Sequence, residues 1–319
     1  MKNPRLSVVI VSYNTKKDLK DCLLQLKKED FDIEVFVVDN ASIDGTNEMI
    51  KKEFSDWSSL NYIQNKTNLG FTAACNQPLA ECKGDYVLFL NSDTIFENNI
   101  WNKLVEYLDK NTEVGVLGPR LSYENGKLQL SCFPSSSFLN LINILMWHVL
   151  PYNIAENILT KFVGTSWSKN GIKTTGWVSG ACLIIRRELI LELNGFDENF
   201  FLSAQDSLDL CLRAKKLGYV VKYYPDIEVI HYCGRSTPKI ISNEKKMNFL
   251  TYMHKGHLYF FKKYHGWFAM VALKIIFIMI SLIKSIVSAI LFIITKSDNL
   301  KNNAIVRIKF CFKLVTMNI

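Results

Sequence analysis

The run Leu6-Ser-Val-Val-Ile-Val11 decides the fold class. It carries no charge and is rich in β-branched side chains, a composition typical of a buried strand. Residues 16–29 follow, with apolar side chains at the spacing of one helix face, namely Leu19, Cys22, Leu23 and Leu26. A second apolar run occupies residues 33–38. A strand, an amphipathic helix and a strand in this order predict two parallel strands joined by a right-handed crossover.

The same alternation continues along most of the first 240 residues. Further strands are predicted at 60–64, 86–90, 114–117, 181–185, 219–224 and 228–231, and helices near Asp44, at 71–82, 100–110 and 139–150, from Arg187, and at 206–217. This order is typical of an α/β fold in which helices flank a mostly parallel, Rossmann-like sheet. Residues 121–175 give a weaker signal, and the helix at 139–150 could belong to the core or to the surface.

The charge of the chain is unevenly distributed. It has 38 Lys and Arg against 30 Asp and Glu, a formal charge of +8, and its 49% hydrophobic and 21% charged residues exclude a disordered protein. Residues 241–319 hold twelve Lys and Arg and two acids, a net charge of +10, so residues 1–240 carry −2. A nucleic-acid enzyme places basic residues around its active cleft. The separation therefore argues against nucleic acid as a partner and predicts a tail with its own role.

Eight cysteines are scattered through the chain without a C-x-x-C pair or a paired metal spacing. Most lie in apolar or amphipathic runs, where a free thiol behaves as a small hydrophobic side chain. They are expected to be reduced, as in a cytosolic protein. The apolar run at 6–11 is too short for the core of a signal peptide and lacks a cleavage site, so export is not expected.

Two acidic clusters follow apolar strands. Asp39 comes directly after the run at 33–38, and Asp93 comes three residues after the run at 86–90. Since ligands bind outside the carboxyl ends of parallel strands, both carboxylates are expected at one edge of the sheet. The role of Asp44 is left open: its carboxylate could bind a ligand or cap a helix.

Two common nucleotide-binding signatures are missing. The chain has no G-x-G-x-x-G after its first strand and no G-x-x-x-x-G-K-[ST], which argues against dinucleotide oxidoreductases and P-loop NTPases. A site that handles a diphosphate without a glycine cradle can instead use a divalent cation held by carboxylates.

Seven short motifs occur in a fixed order. They are Ser7-Val-Val-Ile-Val-Ser-Tyr-Asn14, Val38-Asp-Asn-Ala-Ser-Ile-Asp-Gly-Thr46, Asn68-Leu-Gly-Phe71 with Asn76, Leu90-Asn-Ser-Asp-Thr94, Trp177-Val-Ser-Gly-Ala181, Gly195-Phe-Asp-Glu198 and Asp209-Leu-Cys-Leu-Arg213. Together they resemble the motifs of family 2 glycosyltransferases, particularly rhamnosyltransferase-like members, over about residues 6–236. The resemblance implies a GT-A fold, a nucleotide-diphosphate sugar donor, a divalent cation (Mg²⁺ or Mn²⁺), and transfer with inversion at the anomeric carbon.

The resemblance also implies site residues. Those expected to bind the nucleotide and its sugar are Ser12, Tyr13, Asn14, Asp39, Ser42, Asn68, Gly70, Phe71, Asn76 and Asn91. Asp93 matches the last acid of the family's D-x-D metal motif, and His231 is expected to complete the metal shell. Trp177 and Gly180 are expected beside the sugar or the acceptor. A structural histidine and a core tryptophan are the alternatives for His231 and Trp177.

The motif for the general base departs from the family pattern. Relatives show Glu-Asp-x-Asp-Leu-Cys, whereas this chain reads Gln205-Asp-Ser-Leu-Asp-Leu-Cys211, with one residue more between the two acids. If the extra residue lies between them, Asp206 takes the proton of the acceptor hydroxyl, and this register is preferred. In the ungapped register Ser207 occupies the position and cannot serve. Asp209 could substitute for the base or orient it, or form an ion pair with Arg213.

A long apolar stretch lies in the basic tail. Residues 267–295 are apolar except for Lys274, Ser281, Lys284, Ser285, Ser288 and Thr295, which fall within one helical arc of about 100°. Such a stripe predicts a helix that faces lipid over most of its circumference. A straight helix of this length, roughly 43 Å, could span a bilayer, but its lysines disfavour a central position. Shallow insertion, with lysines reaching anionic headgroups, is preferred; a single span, a helical hairpin and a soluble oligomer interface are the alternatives.

These patterns predict an inverting glycosyltransferase associated with the cytoplasmic face of the cell membrane. Residues 1–120 would form the nucleotide-sugar-binding half of a GT-A domain, residues 121–240 the acceptor-binding and catalytic half, and residues 241–319 the membrane-associated helical segment. The enzyme would move rhamnose or a related hexose to a polyprenyl-linked or cell-surface glycan. The alternatives are a catalytically inactive glycan-binding or scaffold relative and a processive polysaccharide synthase, whose Q-x-x-R-W motif is absent. The oligomeric state is left open.

Overall fold

A computed structural model describes residues 4–97, 99–134, 137–167, 171–202, 205–232 and 242–319. The strands are β1 Leu6–Ser12, β2 Ile33–Asp39, β3 Leu60–Gln64, β4 Tyr86–Leu90, β5 Thr94–Phe96, β6 Val114–Ser122, β7 Leu128–Gln129, β8 Cys132–Phe133, β9 Lys173–Thr174, β10 Trp177–Val178, β11 Cys182–Arg186 and β12 Val220–His231. The helices are α1 Lys16–Leu26, α2 Thr46–Glu53, α3 Phe71–Asn76, α4 Ile100–Lys110, α5 Ser137–Val149, α6 Tyr152–Trp167, α7 Arg187–Glu192, α8 Gln205–Lys216, α9 Asn243–Thr295 and α10 Asp298–Thr316.

Ten of the described strands form one mixed sheet. Along its main path the order is β3-β2-β1-β4-β11-β6-β12-β5, with β7 beside β6 and β9 beside β12. Strands β3, β2, β1 and β4 pair in parallel, as the alternation of strands and helices predicts. Strand β11 is antiparallel to both of its neighbours, β4 and β6. The sheet is therefore continuous from the first strand to His231, and the two predicted halves of the domain share it.

Side chains of β1 alternate between two apolar layers. Val8 and Ile10 pack with residues of α1, α2 and α4, whereas Val9 packs with residues of α3, α7 and α8. All three are at most 1% exposed. Burial on both faces explains why the strand reads as a continuous apolar run, and it holds the carboxyl end of β1 rigidly at the edge of the sheet.

Of the differences between the structure and the predicted elements, three bear on the site. Helix α3 ends at Asn76, two residues before Pro78, because proline has no N–H to donate to the carbonyl four residues earlier. The two strands predicted at 219–224 and 228–231 form the single strand β12, which is irregular around Pro225. The pattern does not predict β5, which pairs with the end of β12 and so brings His231 opposite Thr94, next to Asp93.

The C-terminal residues form a helical hairpin. Helix α9 is interrupted at Gly266, where a φ of 85° and a ψ of 176° are not helical, and α10 returns along α9. Ser285 Oγ donates to Ala304 O at 2.9 Å, and Lys274 Nζ donates to the carbonyls of Val315 and Met317 at 3.1 and 3.0 Å. The polar stripe of α9 therefore faces α10.

The outward surface of α9 is apolar. Its exposed large side chains include Trp267, Phe268, Ile275, Met279, Leu282, Ile283, Ile286, Val287, Ile290, Leu291, Ile293 and Ile294. Among the described helices, α9 alone is long and apolar enough to cross a membrane. The ammonium group of Lys274 donates to the last carbonyls of α10, where the helix dipole favours a cation. Lys274 is thus bonded within the protein, contrary to the expectation that it reaches lipid headgroups. The two helices pair as a hairpin, and the way this segment contacts a membrane stays a prediction.

Candidate active site

The carboxyl ends of β1, β2 and β4 lie side by side at one edge of the sheet. They place Asp39 and Asp93 there, each at most 1% exposed. Thr15 Oγ1 lies 3.0 Å from Ser12 Oγ and 2.9 Å from Ser92 Oγ. This buried row of hydroxyl groups joins the end of β1 to the end of β4.

Asp39 is held by two donors. Ser42 N donates to Oδ1 at 2.9 Å, and Tyr62 OH donates to Oδ2 at 2.8 Å. Burial, together with the hydrogen bond to Asp39 and its charge, raises the pKa of Tyr62, so the phenol keeps the proton that this bond requires. Tyr62 comes from β3, the neighbouring strand, and the sequence motifs do not identify it.

The loops after β1 and β2 are tied to each other. Asn14 N donates to Ser42 Oγ at 2.9 Å, and Ile43 N donates to Asn14 Oδ1 at 2.8 Å. Asn14 adopts a positive φ of 55° to make both bonds. Tyr13 is half-buried beside it. The structure thus brings together the residues predicted to border the nucleotide.

Asp44 closes the same pair of loops. Its Oδ2 accepts from Lys16 N at 2.8 Å, and its Oδ1 accepts from Thr46 Oγ1 at 2.6 Å and from Thr46 N at 3.2 Å. These donors lie at the starts of α1 and α2. These bonds agree with the capping role, although the N-cap residues themselves are Thr15 for α1 and Gly45 for α2, and a ligand role for Asp44 stays open.

Asn40 organises the loop before α3. Its Nδ2 donates to Asn68 Oδ1 at 2.9 Å and to Gly70 O at 3.0 Å. Gly70 has a φ of 88°, and a Cβ there would lie 2.7 Å from the Phe201 ring. Only glycine fits this position without a shift of backbone or ring. The amide of Phe71 donates to Phe201 O at 2.9 Å, which anchors the start of α3.

Asn76, also predicted to line the sugar pocket, ties α3 to the loop 195–198. Its Oδ1 accepts from Phe196 N at 2.8 Å. Its Nδ2 donates to Phe196 O at 2.9 Å and to Glu198 Oε1 at 3.0 Å. Both N–H groups of the carboxamide are used within the protein, whereas Oδ1 accepts one bond and keeps a second lone pair.

Asp93, Asn91 and His231 meet where β4 and β12 end. His231 Nε2 lies 3.3 Å from Asp93 Oδ1 and 3.2 Å from Asn91 Nδ2. On the other side of the ring, His231 Nδ1 lies 2.8 Å from Gln129 Oε1. Because a carboxamide oxygen only accepts, Nδ1 carries the ring proton and Nε2 keeps its lone pair. The motifs do not identify Gln129, which lies in β7.

Two acceptor atoms, His231 Nε2 and Asp93 Oδ1, are thus close together without a proton between them. Within the described part of the chain, Asp93 Oδ1 is buried and has no hydrogen-bond partner. A divalent cation would satisfy this oxygen, and His231 Nε2, which Asn91 Nδ2 now approaches, could become a second ligand once that bond opens. Such ligands suit Mn²⁺ and, on the oxygen side, Mg²⁺. These residues therefore fit a divalent cation.

Asp206 lies in the first turn of α8 and is 7% exposed. Burial, and secondarily the charge of Asp209, raise the pKa of Asp206 from 3.8 to about 7, although its bond from Ser207 N opposes the shift. A carboxyl with a pKa near neutrality can accept a proton at neutral pH. This is the chemical property that a general base in sugar transfer needs.

The loop 179–181 connects α8 to the end of β4. Asn91 N donates to Ala181 O at 2.9 Å. A Cβ at Gly180 would lie 3.7 Å from Ser207 Cβ and 3.9 Å from the Phe71 ring. Gly180, Ser207 and Phe71 therefore meet close to Asn91, which places the start of α8 beside the sheet edge that carries Asp93.

Trp177 is a core side chain. It is 7% exposed and packs in the same apolar layer as Val9 and Leu208. Its Nε1 has no hydrogen-bond partner among the described residues. This placement agrees with the alternative of a core tryptophan, and contact with the sugar or acceptor stays a prediction.

Asp209 is fully buried and accepts from three side chains. Arg213 Nε donates to Oδ2 at 2.7 Å, while Lys263 Nζ and Tyr264 OH donate to Oδ1 at 2.6 and 2.8 Å. The ion pair with Arg213, one of the predicted alternatives, is present. Three donors to one buried carboxylate agree with a structural role for Asp209, and a part in catalysis stays a prediction.

Known proteins resemble this chain at both sequence and fold level. Residues 7–163 match the family described as glycosyl transferase family 2. The N-acetylglucosaminyl-diphospho-decaprenol L-rhamnosyltransferase of Mycobacterium tuberculosis is 27% identical over 276 residues, which cover 82% of this chain and 86% of that protein. The rhamnosyltransferase WbbL of Escherichia coli is 24% identical over 242 residues, 74% of this chain and 86% of that protein.

Solved structures share the fold. The mannosyltransferase PcManGT from Pyrobaculum calidifontis, in complex with GDP-Man and Mn²⁺, has a TM-score of 0.54 at 16% identity, covering 99% of this chain and 87% of that chain. S. aureus TarS in complex with UDP-GlcNAc has a TM-score of 0.52 at 19% identity, covering 80% of this chain and 66% of that chain.

Proposed function

We propose that this chain, which belongs to glycosyltransferase family 2 and has the GT-A fold, transfers rhamnose from a nucleotide diphosphate to a polyprenyl-linked glycan. Family membership makes it a nucleotide-sugar glycosyltransferase. The choice of rhamnose and of a polyprenyl-linked acceptor is supported by the activities of its relatives and by the apolar hairpin. The observation that supports catalytic activity is the buried carboxyl of Asp206, because its pKa of about 7 suits proton transfer.

The donor would lie along the sheet edge. Ser12, Tyr13 and Asn14 would border the nucleoside, and Asp39 would hydrogen-bond its base. Asp93 and His231 would hold Mg²⁺ or Mn²⁺ with Asn91 beside them. When bound, the cation would stabilise the negative charge that develops on the departing diphosphate.

The acceptor hydroxyl would be activated by Asp206. As this carboxylate takes the proton, the acceptor oxygen attacks the anomeric carbon from the face opposite the diphosphate. One displacement of this kind inverts the configuration at that carbon. The near-neutral pKa predicts that turnover rises with pH through about 7, because only the ionised carboxyl can accept the proton.

The hairpin would hold the enzyme at the cytoplasmic face of the membrane. The apolar outer face of α9 suits the hydrocarbon side of a lipid surface, and a polyprenyl chain is confined to that surface. Residues 1–120 and 121–240 would bind the donor and the acceptor respectively, although they share one sheet.

The proposal is tested by donor consumption in the full chain. With Mn²⁺ and a polyprenyl-diphospho-N-acetylglucosamine acceptor, dTDP-rhamnose is expected to be consumed faster than GDP-mannose or UDP-N-acetylglucosamine. EDTA and Asp93→Ala should abolish turnover, whereas the exposed Asp226→Ala should not. Consumption of another donor but not of dTDP-rhamnose would refute the assignment of rhamnose. A retained anomeric configuration, seen by NMR, would refute inversion.

A second candidate is a catalytically inactive glycan-binding relative. The amide of Asn91 in place of an acid, and the extra residue between Asp206 and Asp209, favour it. Saturable binding of a nucleotide sugar without release of nucleoside diphosphate, at any pH between 6 and 9, would support this candidate over the enzyme.

A further inference from the structure

The root of the hairpin is bonded to the catalytic body just before the break at Gly266. Lys263 Nζ donates to Asp209 Oδ1 at 2.6 Å and to Asp197 Oδ2 at 2.7 Å. Tyr259 OH donates to the same oxygen of Asp197 at 2.8 Å. These contacts join α9 to two segments that the motif analysis singled out, the loop 195–198 and α8.

The two acids depend on this lysine. Asp209 is completely buried, and Arg213 and Lys263 are the two cations paired with it among the described residues. A buried carboxylate without its partners is strongly destabilised. For Asp197, burial alone would raise the pKa, but hydrogen bonds from Lys263, Asn199 and Tyr259 lower it to about 2. Lys263 therefore neutralises two carboxylates from one point on α9.

Asp209 lies three residues after Asp206, on the same helix. The two side chains interact, because the charge of Asp209 contributes to the raised pKa of Asp206. Around Asp209 the described charged and titratable groups include Arg213 and Cys211 on α8 and Lys263, Tyr264 and Tyr259 on α9. Around Asp206 the structure describes Asp209 on α8 and the neutral thiol of Cys75 on α3. The charge balance next to Asp206 is thus set partly from α9.

We propose that Lys263 is a positioning residue for the transfer reaction: from the root of the hairpin it holds Asp209 and Asp197, and thereby fixes the helix that carries Asp206 and its local charge. The inference rests on the proposed role of Asp206 as base. It gives the C-terminal segment a part in catalysis as well as in membrane attachment. Lys263 itself need not touch either substrate.

Loss of the lysine charge has a distinctive consequence. In Lys263→Met, Asp209 keeps only Arg213 as a cationic partner, so the negative charge near Asp206 increases. Asp206 then binds its proton more tightly, and the pH at which half-maximal kcat is reached moves upward, by about half a unit or more. A lysine that served only to pack the hairpin would change kcat at all pH values by the same factor.

The experiment compares kcat between pH 5.5 and 9 for the full chain, Lys263→Met, Lys263→Arg and Lys255→Met. Lys255 is exposed on α9, about two turns earlier, and has no described carboxylate partner. We expect an upward shift in Lys263→Met, near-normal behaviour in Lys263→Arg, and no shift in Lys255→Met. An unchanged midpoint in an active Lys263→Met variant would overturn the inference.

A second measurement does not depend on turnover. A ¹³C NMR titration of the aspartate carboxyls, with Asp206→Asn to assign the signal, reports the proton affinity of Asp206 directly. A higher midpoint in Lys263→Met than in the parent chain supports the inference, and equal midpoints overturn it. If the parent chain shows no transferase activity, the proposed function fails while this titration still decides the role of Lys263.

Discussion

At the scale of single residues, the environment of Asp206 decides its charge state. The fold raises its pKa from 3.8 to about 7, mainly by burial, so the folded protein keeps a proton that the unfolded chain releases between these pH values. The stability that this group contributes is therefore fully present below about pH 4 and is lost as the pH rises through about 7. A side chain that costs stability at the working pH is typical of a functional site.

Replacing Asp206 by Asn should separate stability from activity. We expect kcat to fall by about 10²–10⁴-fold, because the proton acceptor is removed. The melting temperature of Asp206→Asn relative to the parent chain should increase between pH 4 and 8, because the amide has no proton to release. Asp226→Asn, at an exposed position, is the matched control for both measurements. A melting difference that does not change with pH would contradict the raised pKa.

Gln129 is a second residue whose role appears only in three dimensions. Its Oε1 accepts a hydrogen bond from Nδ1 of His231, so Nε2 is the acceptor nitrogen beside Asp93 and Asn91. Gln129→Leu should weaken Mn²⁺ binding by about 10- to 100-fold, as loss of the partner of a ligating histidine does in metal sites. Electron paramagnetic resonance of free Mn²⁺, recorded without substrates, measures this affinity. Gln129→Glu retains an acceptor for Nδ1 and should bind Mn²⁺ more tightly than Gln129→Leu; the reverse order would contradict this role.

At the scale of elements, the hairpin separates polar from apolar contacts. Helix α9 turns its hydroxyls and Lys274 towards α10 and presents only apolar large side chains outward over residues 275–294. Lys274, Ser281 and Ser285 find partners within the hairpin, and internal pairing of polar groups is the condition for contact with lipid. The bonds of Lys274 explain how one of the two lysines in the most apolar segment is accommodated.

Polar substitutions on the outer face of α9 should release the protein from membranes. We expect the triple variant Ile286→Asn, Ile290→Asn and Ile293→Asn to bind vesicles at least about tenfold more weakly, because three exposed apolar side chains are lost from the lipid-facing surface. Cosedimentation with phospholipid vesicles measures the change. The matched control replaces three exposed leucines of the catalytic body, Leu24, Leu191 and Leu217, by Asn. Equal binding of the two triple variants would argue against the hairpin as the attachment site.

At the scale of the whole molecule, the charge is divided between a body with a net charge of −2 and a tail with +10. Some of the basic side chains of the tail are used within the protein, as Lys263 and Lys274 show. Others, such as Lys309 and Lys313 on α10, are exposed. The charge excess near a membrane is therefore smaller than the sequence count suggests, but it keeps its sign.

Binding to anionic vesicles should depend on salt. Exposed lysines near anionic lipid contribute about 1 kcal/mol each, and this attraction is screened as ionic strength rises. We expect the full chain to prefer vesicles with phosphatidylglycerol over neutral phosphatidylcholine at about 0.1 M salt, and the preference to disappear near 1 M, where the Debye length is only about 3 Å. Cosedimentation with both vesicle types at each salt concentration measures this preference. Equal affinity for both lipids at low salt would show that apolar contact alone holds the protein.

The sequence by itself determined most of the longer strands, most helices and the edge of the sheet at which Asp39 and Asp93 lie. These features follow from the period of apolar side chains and from strand order, and both act over short stretches of chain. The motifs in their order also identified the family. The bounds of α3, the antiparallel direction of β11 and the strand β5 needed the structure, because they depend on how distant segments pair.

Only the tertiary structure decided which side chains support the site. Gln129 contacts His231 across 102 residues, and Lys263 contacts Asp209 across 54. The polar stripe of α9 packs against α10 in the structure. Helix periodicity predicts the stripe but does not identify the element that it contacts. Such contacts depend on the direction of individual side chains between elements far apart in the chain. Local propensity specifies each element, whereas the charge of Asp206 and the tautomer of His231 are set by what those elements bring together.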